Sequence, residues 1–297
     1  MVSGSNSCIG FYADSFAEMR ICGTGGGITE IIRNTKKFWG YDVKKILFIM
    51  LMFFAACFVF TPQMLDAQTP TAAELLRRVD DNEVFKTIQY EADMIIEHNN
   101  KRFVKTMKAW ARQNTDSFIE FTNPEDRGTK YLKKGGRLYV YSPDTEQVTL
   151  ISGHMLKESM MGSDLSYEDT IDNDTLSSRY DPVLAGSGVR KLGNTDRDCW
   201  ILDLTAKKRT ESYPKRKLWI DKQNGDVLHY ELYALSGARL KEYTMLRVEQ
   251  IAGRRFPVEM EMRDLLRRGS KTTFVMRNVV LDEPIADSVF SQRNLER

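Results

Sequence analysis

The sequence predicts a mainly β protein with short helices, built on a single long antiparallel sheet. Three observations carry that expectation. Apolar and polar residues alternate in Ile88-Gln89-Tyr90-Glu91-Ala92-Asp93-Met94, and again in Phe256-Pro257-Val258-Glu259-Met260-Glu261-Met262, which marks one dry and one wet face. Turn residues stand between neighbouring runs: Lys134-Gly135-Gly136, Gln223-Asn224-Gly225-Asp226, Ser236-Gly237-Ala238 and Ala252-Gly253. Most of these runs have no helical period between them, so the pattern is a meander of hairpins and not a βαβ sheet.

The first element after residue 68 is a helix. Thr71 and Glu74 have capping-box spacing, and Ala72, Leu75, Leu76 and Val79 repeat at i, i+3, i+4 and i+7, so one apolar face must be covered. Asp80-Asp81-Asn82 closes it. Strands are expected over 88–96, 101–110, 117–122, 129–133, 137–141 and 147–151. After an interruption they resume over 189–194, 199–206, 215–221, 227–235, 239–250, 256–263 and 271–280. A sheet this long curls, closes or splits. The interruption at 152–188 holds Met155, Leu156, Met160 and Met161, then an acidic run and Asp181-Pro182, and is expected to lie across the sheet as helical turns and loop.

The segment 43–67 has the form of a secretion signal. Lys44-Lys45 is basic, Ile46 to Phe60 is uncharged and apolar, and Leu65-Asp66-Ala67 precedes Gln68 as a peptidase site. A signal acts from the N-terminus, so residues 1–42 are expected to be a mis-called extension, with a GUG codon at Val43 as the start. Export to the periplasm, leaving residues 68–297 as one domain, is the expectation. A retained membrane anchor and a lipidated Cys57 are the alternatives.

Lys and Arg number 43 against 41 Asp and Glu, a net charge of +2. That balance excludes the clustered basic excess of a nucleic-acid binder. Of the four cysteines, Cys8, Cys22 and Cys57 precede residue 68, so only Cys199 remains and no internal disulfide can form. Beside Trp200 in a strand, Cys199 reads as a buried, inert thiol. His98, His154 and His229 each stand alone on their segments, and HExxH, GxSxG and CxxC are lacking, so no catalytic residue, metal or cofactor is expected. The acidic run Asp164, Glu168, Asp169, Asp172 and Asp174 lacks the spacing and glycine of a calcium loop. The remaining features are a sheet with one apolar face, an amphipathic helix and a methionine-rich interruption. They fit equally a plain core or a curved sheet that holds an apolar ligand.

Phe121-Thr-Asn-Pro124-Glu-Asp126-Arg127-Gly128-Thr129-Lys-Tyr131-Leu132, then Leu138-Tyr139-Val140-Tyr141-Ser142-Pro143, then Met161-Gly162-Ser163-Asp164-Leu165-Ser166-Tyr167-Glu168-Asp169 occur in order. This set resembles the bacterial outer membrane lipoprotein-sorting protein family of the LolA-like superfamily, over about residues 70–297. The resemblance implies an unclosed β-barrel covered by helices, with an apolar cavity for lipid or for the acyl chains of a lipoprotein. It implies a non-enzymatic carrier acting between inner and outer membrane, with an inner-membrane exporter of hydrophobic compounds as a further partner. The alternative is an envelope-stress sensor or interaction domain that binds a protein partner on the same fold. A hydrolase is a third class, for which no nucleophile–base pair stands out.

Two sets of residues follow. Tyr90, Met94, Ile96, Val258, Met260 and Met262, with Ala92, are expected to line the cavity, and Glu91 and Glu259 to face water. Met155, Leu156, Met160 and Met161 are expected to form a lid, with Lys157 and Glu158 turned outward. Asp164 and Asp169 are expected to cap the covering helices.

Overall fold

The structure, a computed structural model, describes residues 69–82, 85–113, 115–171 and 175–297. The expected extension and signal segment lie outside the described residues. The first helix, α1 (Ala72–Asn82), is followed by strands β1 (Thr87–His98), β2 (Lys101–Arg112), β3 (Ser117–Phe121), β4 (Lys130–Lys134), β5 (Arg137–Ser142) and β6 (Gln147–Ile151). A connecting segment then carries 3-10 turns at Gly153–Lys157 and Met160–Gly162 and the short helices α2 (Tyr167–Ile171) and α3 (Leu176–Arg179). Strands β7 (Tyr180–Leu192), β8 (Thr195–Ala206), β9 (Lys215–Asp221), β10 (Val227–Tyr233), β11 (Arg239–Ile251), β12 (Arg254–Asp264) and β13 (Ser270–Leu281) complete the sheet. A 3-10 turn at Asp287–Phe290 and α4 (Gln292–Leu295) end the chain.

All 13 strands form one sheet in the order β6-β5-β4-β3-β2-β1-β13-β12-β11-β10-β9-β8-β7. Two hairpin meanders thus meet at the β1–β13 seam, where Met94 faces Phe274, and β6 and β7 remain as edges. This is an unclosed β-barrel. The segment between β6 and β7 must pass from one edge to the other, which carries it over the inner face.

The interruption is shorter than its sequence suggests. Residues 180–188 belong to β7, so the connection spans 152–179. Pro182 and a register shift between Leu184 and Gly186 disguise the strand. Both are tolerated because β7 is an edge, where a missing N–H donor leaves no ladder bond unmade, and where irregularity discourages further pairing. The turns are as their residues dictate: Gly135 and Gly136 take φ of 58° and 72°, the left-handed pair that a two-residue hairpin requires.

Directly paired residues share a face, so the inner face can be followed across the whole sheet. Met94, Phe274 and Met260 are successive partners, as are Ile96, Thr272, Met262 and Tyr243, and then Tyr230, Leu218 and Leu202. Helix α1 covers the β8–β9 part of this face: Leu75, Leu76 and Val79 pack with Tyr180, Leu202, Leu204, Leu218 and Ile220. Its start is the expected capping box, with Thr71 N–H donating to Glu74 Oε2 at 2.8 Å and Glu74 N–H to Thr71 Oγ1 at 3.2 Å. Those bonds lower the Glu74 carboxyl below its ordinary pKa. The C-terminal segment packs on the outer face instead, where Phe290 and Leu295 meet Phe118 and Leu132. A second outer cluster joins Cys199, Trp219 and Leu228 with Ile201, and between the two the outer face is polar. Arg277 forks onto Asp93, Lys108 approaches Glu91 at 3.7 Å, and Arg247 donates to Glu259 at 3.2 Å.

A covered apolar face as the candidate binding site

The centre of the inner face is an apolar cluster. Ala92, Met94 and Ile96 of β1 pack with Met107, Phe121, Tyr131, Leu138, Ile151 and Met276, and Tyr90, Phe256, Met260 and Phe274 join at its margin. Strand alternation puts these side chains on one side, and the long strands keep them in register. Tyr90 meets Phe274 edge-on with ring centroids 6.2 Å apart, and burial pushes its hydroxyl up to about 12.

The connecting segment closes over this cluster. Met160 is buried within it, and Met155, Leu156, Met161, Leu165 and Tyr167 pack against it, while Lys157 and Glu158 are exposed. Tyr167 stacks on Tyr131 at 6.0 Å, and the Tyr131 hydroxyl donates to Met161 Sδ at 3.0 Å. Met161 sits at φ 53°, a left-handed conformation unusual for a non-glycine residue, as the chain doubles back between the two 3-10 turns and α2. Tyr90, Met94, Ile96 and Met260 therefore meet all four expected lid residues in one cluster. Met262 belongs to the neighbouring cluster with Tyr213, Leu232 and Tyr243, and Val258, though only 1% exposed, lies outside both.

Polar side chains fasten the segment down. Asp164 is 1% exposed: its carboxylate accepts from Asp264 N–H (3.0 Å), Ser270 Oγ (3.0 Å) and Thr272 Oγ1 (2.6 Å). This corrects the expectation for Asp164, which caps no helix but ties the segment to β12 and β13. Asp169 does close a capping box, accepting from Ser166 N–H at 2.8 Å at the start of α2. It also takes Lys241 of β11 at 2.5 Å and the Tyr213 hydroxyl at 2.8 Å. Burial by itself would raise the Asp169 carboxyl; Lys241 and the Ser166 donors outweigh it and hold the group below the usual carboxylate range. Arg267, in the β12–β13 turn, donates to the carbonyl of Ser163, to that of Gly162 at 3.1 Å and to Ser159 Oγ at 3.2 Å.

Sequence reasoning missed Arg267, Lys241 and Thr272. Thr272, Phe274 and Met276 alternate within β13 and were open to the same pattern that revealed β1 and β12. Arg267 carried no signal, because its acceptors are main-chain carbonyls 104 and 105 residues away. Cys199 is buried and its thiol is raised to about 11 by burial. His229 is not alone once folded: Glu231 and Glu242 converge on it on the outer face. Arg239 occupies that cluster, at 2.5 Å from Glu231 and 3.3 Å from Glu242, and Arg263 stands 3.9 Å from Glu242, so the two carboxylates face two guanidinium groups.

Residues 113–297 match a protein-family model described only as that of an uncharacterized protein. Three solved structures share the fold. A DUF1329 family protein from Desulfovibrio piger is 28% identical with a TM-score of 0.67, over 75% of this chain and 97% of that one. A putative outer membrane lipoprotein-sorting protein domain from Vibrio parahaemolyticus is 19% identical with a TM-score of 0.66, over 76% and 98%. A LolA superfamily protein from Nitrosomonas europaea is 22% identical with a TM-score of 0.62, over 76% and 100%.

The chain belongs to the family of the model matched by residues 113–297, and its fold is LolA-like.

No curated protein matches it. The LolA-like fold accounts for the open sheet and for a cover that passes between its edges. Among the described residues no helix is long and apolar enough to cross a membrane.

Proposed function

We propose that this protein is a periplasmic carrier that shelters lipid or lipoprotein acyl chains on its inner face during transfer between membranes. In this reading residues 43–67 direct export and residues 68–297 form the carrier. The observation that supports it best is how the inner face is closed. Over 153–171 the hydrogen bonds from the connecting segment to the strands run through side chains (Asp164, Asp169 and Arg267), so that part can lift without breaking the main-chain ladder, while Arg179, whose carbonyl accepts from Lys207 N–H, stays with the β7–β8 hairpin. Met155, Leu156, Met160 and Met161 fill the apolar cluster in the closed state, and an entering chain would replace their contacts. Methionine suits that exchange because its unbranched, polarizable side chain repacks around different shapes. Each methylene withdrawn from water contributes about 0.8 kcal/mol, so most of one acyl chain supplies several kcal/mol after ordering costs. The function so read is binding, not catalysis.

The test is native mass spectrometry of protein isolated from the periplasmic fraction, followed by solvent extraction. Adducts of lipid mass that extraction removes are the expected result. A stoichiometric protein partner with an empty inner face would overturn the carrier reading in favour of an interaction domain.

A further inference from the structure

Six hairpin tips lie along one end of the sheet; beyond those of β5–β6 (143–146) and β3–β4 (122–129), which carry exposed Glu125, Asp144 and Glu146, four follow in a row. In strand order they join β1 to β2 (99–100), β12 to β13 (265–269), β10 to β11 (234–238) and β8 to β9 (207–214). Two adjacent tips carry Leu266 and Leu235, which are 75% and 78% exposed, more than any other large apolar side chain described. Phe103, just past the first tip, is 52% exposed. A lone exposed leucine is ordinary, but hairpin tips in water favour Gly, Asn, Asp and Ser. These two leucines also sit among Lys101, Arg102, Lys208, Arg209 and Arg268, all exposed and without an ion-pair partner among the described residues. The acidic residue on the same tips, Glu211, is neutralised by Arg179. Between the first two of these four tips lies a cleft of about 390 Å³ lined in part by Lys101 and Arg102, with Lys271 paired to Glu97 at 2.9 Å and Arg263 to Glu261 at 2.8 Å.

We propose that this rim docks on an anionic lipid bilayer, with Leu235 and Leu266 entering the interface and the lysines and arginines meeting headgroup phosphates. Two leucines on separate tips offer little of the continuous apolar core that a stable protein interface is built around, whereas a bilayer needs no matching shape. Basic groups near an anionic leaflet then add attraction that salt screens. The proposal stands whether or not the inner face carries lipid.

The probes are phosphatidylglycerol-containing and pure phosphatidylcholine vesicles, with the full chain in every variant so that residues 1–68 contribute equally. Hydrogen exchange is expected to slow at 234–238 and 265–269 with the anionic vesicles only. Leu235→Asp with Leu266→Asp is expected to lower flotation with anionic vesicles about tenfold or more. Arg268→Glu with Arg209→Glu is expected to lower it several-fold at low salt and less at high salt. Circular dichroism would confirm that these exposed changes leave the sheet folded. Unchanged exchange at both tips, flotation indifferent to both double variants, or protection that appears only when a second protein is added would each overturn the proposal.

Discussion

Lys241 and Asp169 are each under a tenth exposed, so neither can do without the other. Replacing Lys241 by Met leaves a buried carboxylate facing no cation, a situation that costs about 3–5 kcal/mol. The pH dependence follows from the sign of the shift. Folding holds the Asp169 carboxyl below its ordinary 3.8, so its stabilisation is present above 3.8 and lost as the pH falls through the depressed folded value. In Lys241→Met the same carboxyl is raised by burial, so the penalty is largest at neutral pH and shrinks on acidification. Urea unfolding at pH 7 and pH 5 would show this, and Asp169→Asn in the same chain is expected to restore part of the loss. Arg267 acts differently, because its acceptors are two carbonyls and a hydroxyl, neutral groups that water can satisfy once the segment lifts. Arg267→Ala is expected to speed hydrogen exchange across 153–171, by an opening free energy smaller by about 1–3 kcal/mol, with exchange in β1 and β13 unchanged. Loss of protection throughout the sheet would show that the arginine holds the fold and not only the cover.

The connecting segment is the element on which the carrier reading turns. Its turns are internally closed, Met160 N–H to the Leu165 carbonyl at 2.8 Å and Tyr167 N–H to the Glu158 carbonyl at 3.1 Å, so it can move as a unit. Met160→Asp with Met161→Asp places two carboxylates against the apolar cluster. Such a variant is expected to keep the far-ultraviolet dichroism of the sheet and to lose retained lipid. An unfolded variant would mean that the two methionines are permanent core, and unchanged lipid retention would contradict both accounts. Helix α1 is the contrasting element: Leu75, Leu76 and Val79 are at most 2% exposed on the other half of the inner face, and its polar bonds go to α3, where Asp80 accepts from Leu176 and Ser177 N–H, and to the β9–β10 turn, where Asn82 donates to the Gly225 carbonyl.

At the scale of the whole molecule, the seam between β1 and β13 is the decisive contact. It joins residues as distant as Asp93 and Arg277, 184 positions apart, so its loop-closure entropy is met only when the two meanders already exist. Met94, 1% exposed, sits on it. Met94→Ala is expected to cost about 2–5 kcal/mol and to act mainly by speeding unfolding, because the seam forms late. Stopped-flow refolding and unfolding would decide: a folding limb slowed by the full stability loss would place the seam in the folding nucleus instead.

Local chemistry made most of the fold legible. Alternation is read residue by residue, which is why Tyr90, Met94, Ile96 and Met260 and their outward neighbours Glu91 and Glu259 can be assigned to their faces from the residue pattern alone. Turn glycines and the Thr71–Glu74 box act within four residues and are equally plain. The start of β7 is hidden because Pro182 and Gly186 are read as loop signals, and only its position at an edge makes them compatible with a strand. The placing of Met262 and Val258 outside the central cluster depends on how far each strand runs before the sheet bends away. The fasteners are beyond the sequence altogether: Asp164 with Thr272, Asp169 with Lys241, and Arg267 with two carbonyls and the Ser159 hydroxyl are 72 to 108 positions apart and meet only once β7 to β13 have assembled. Periodicity determines which side of a strand a residue faces, but which distant residue it meets is settled by the order in which the strands assemble.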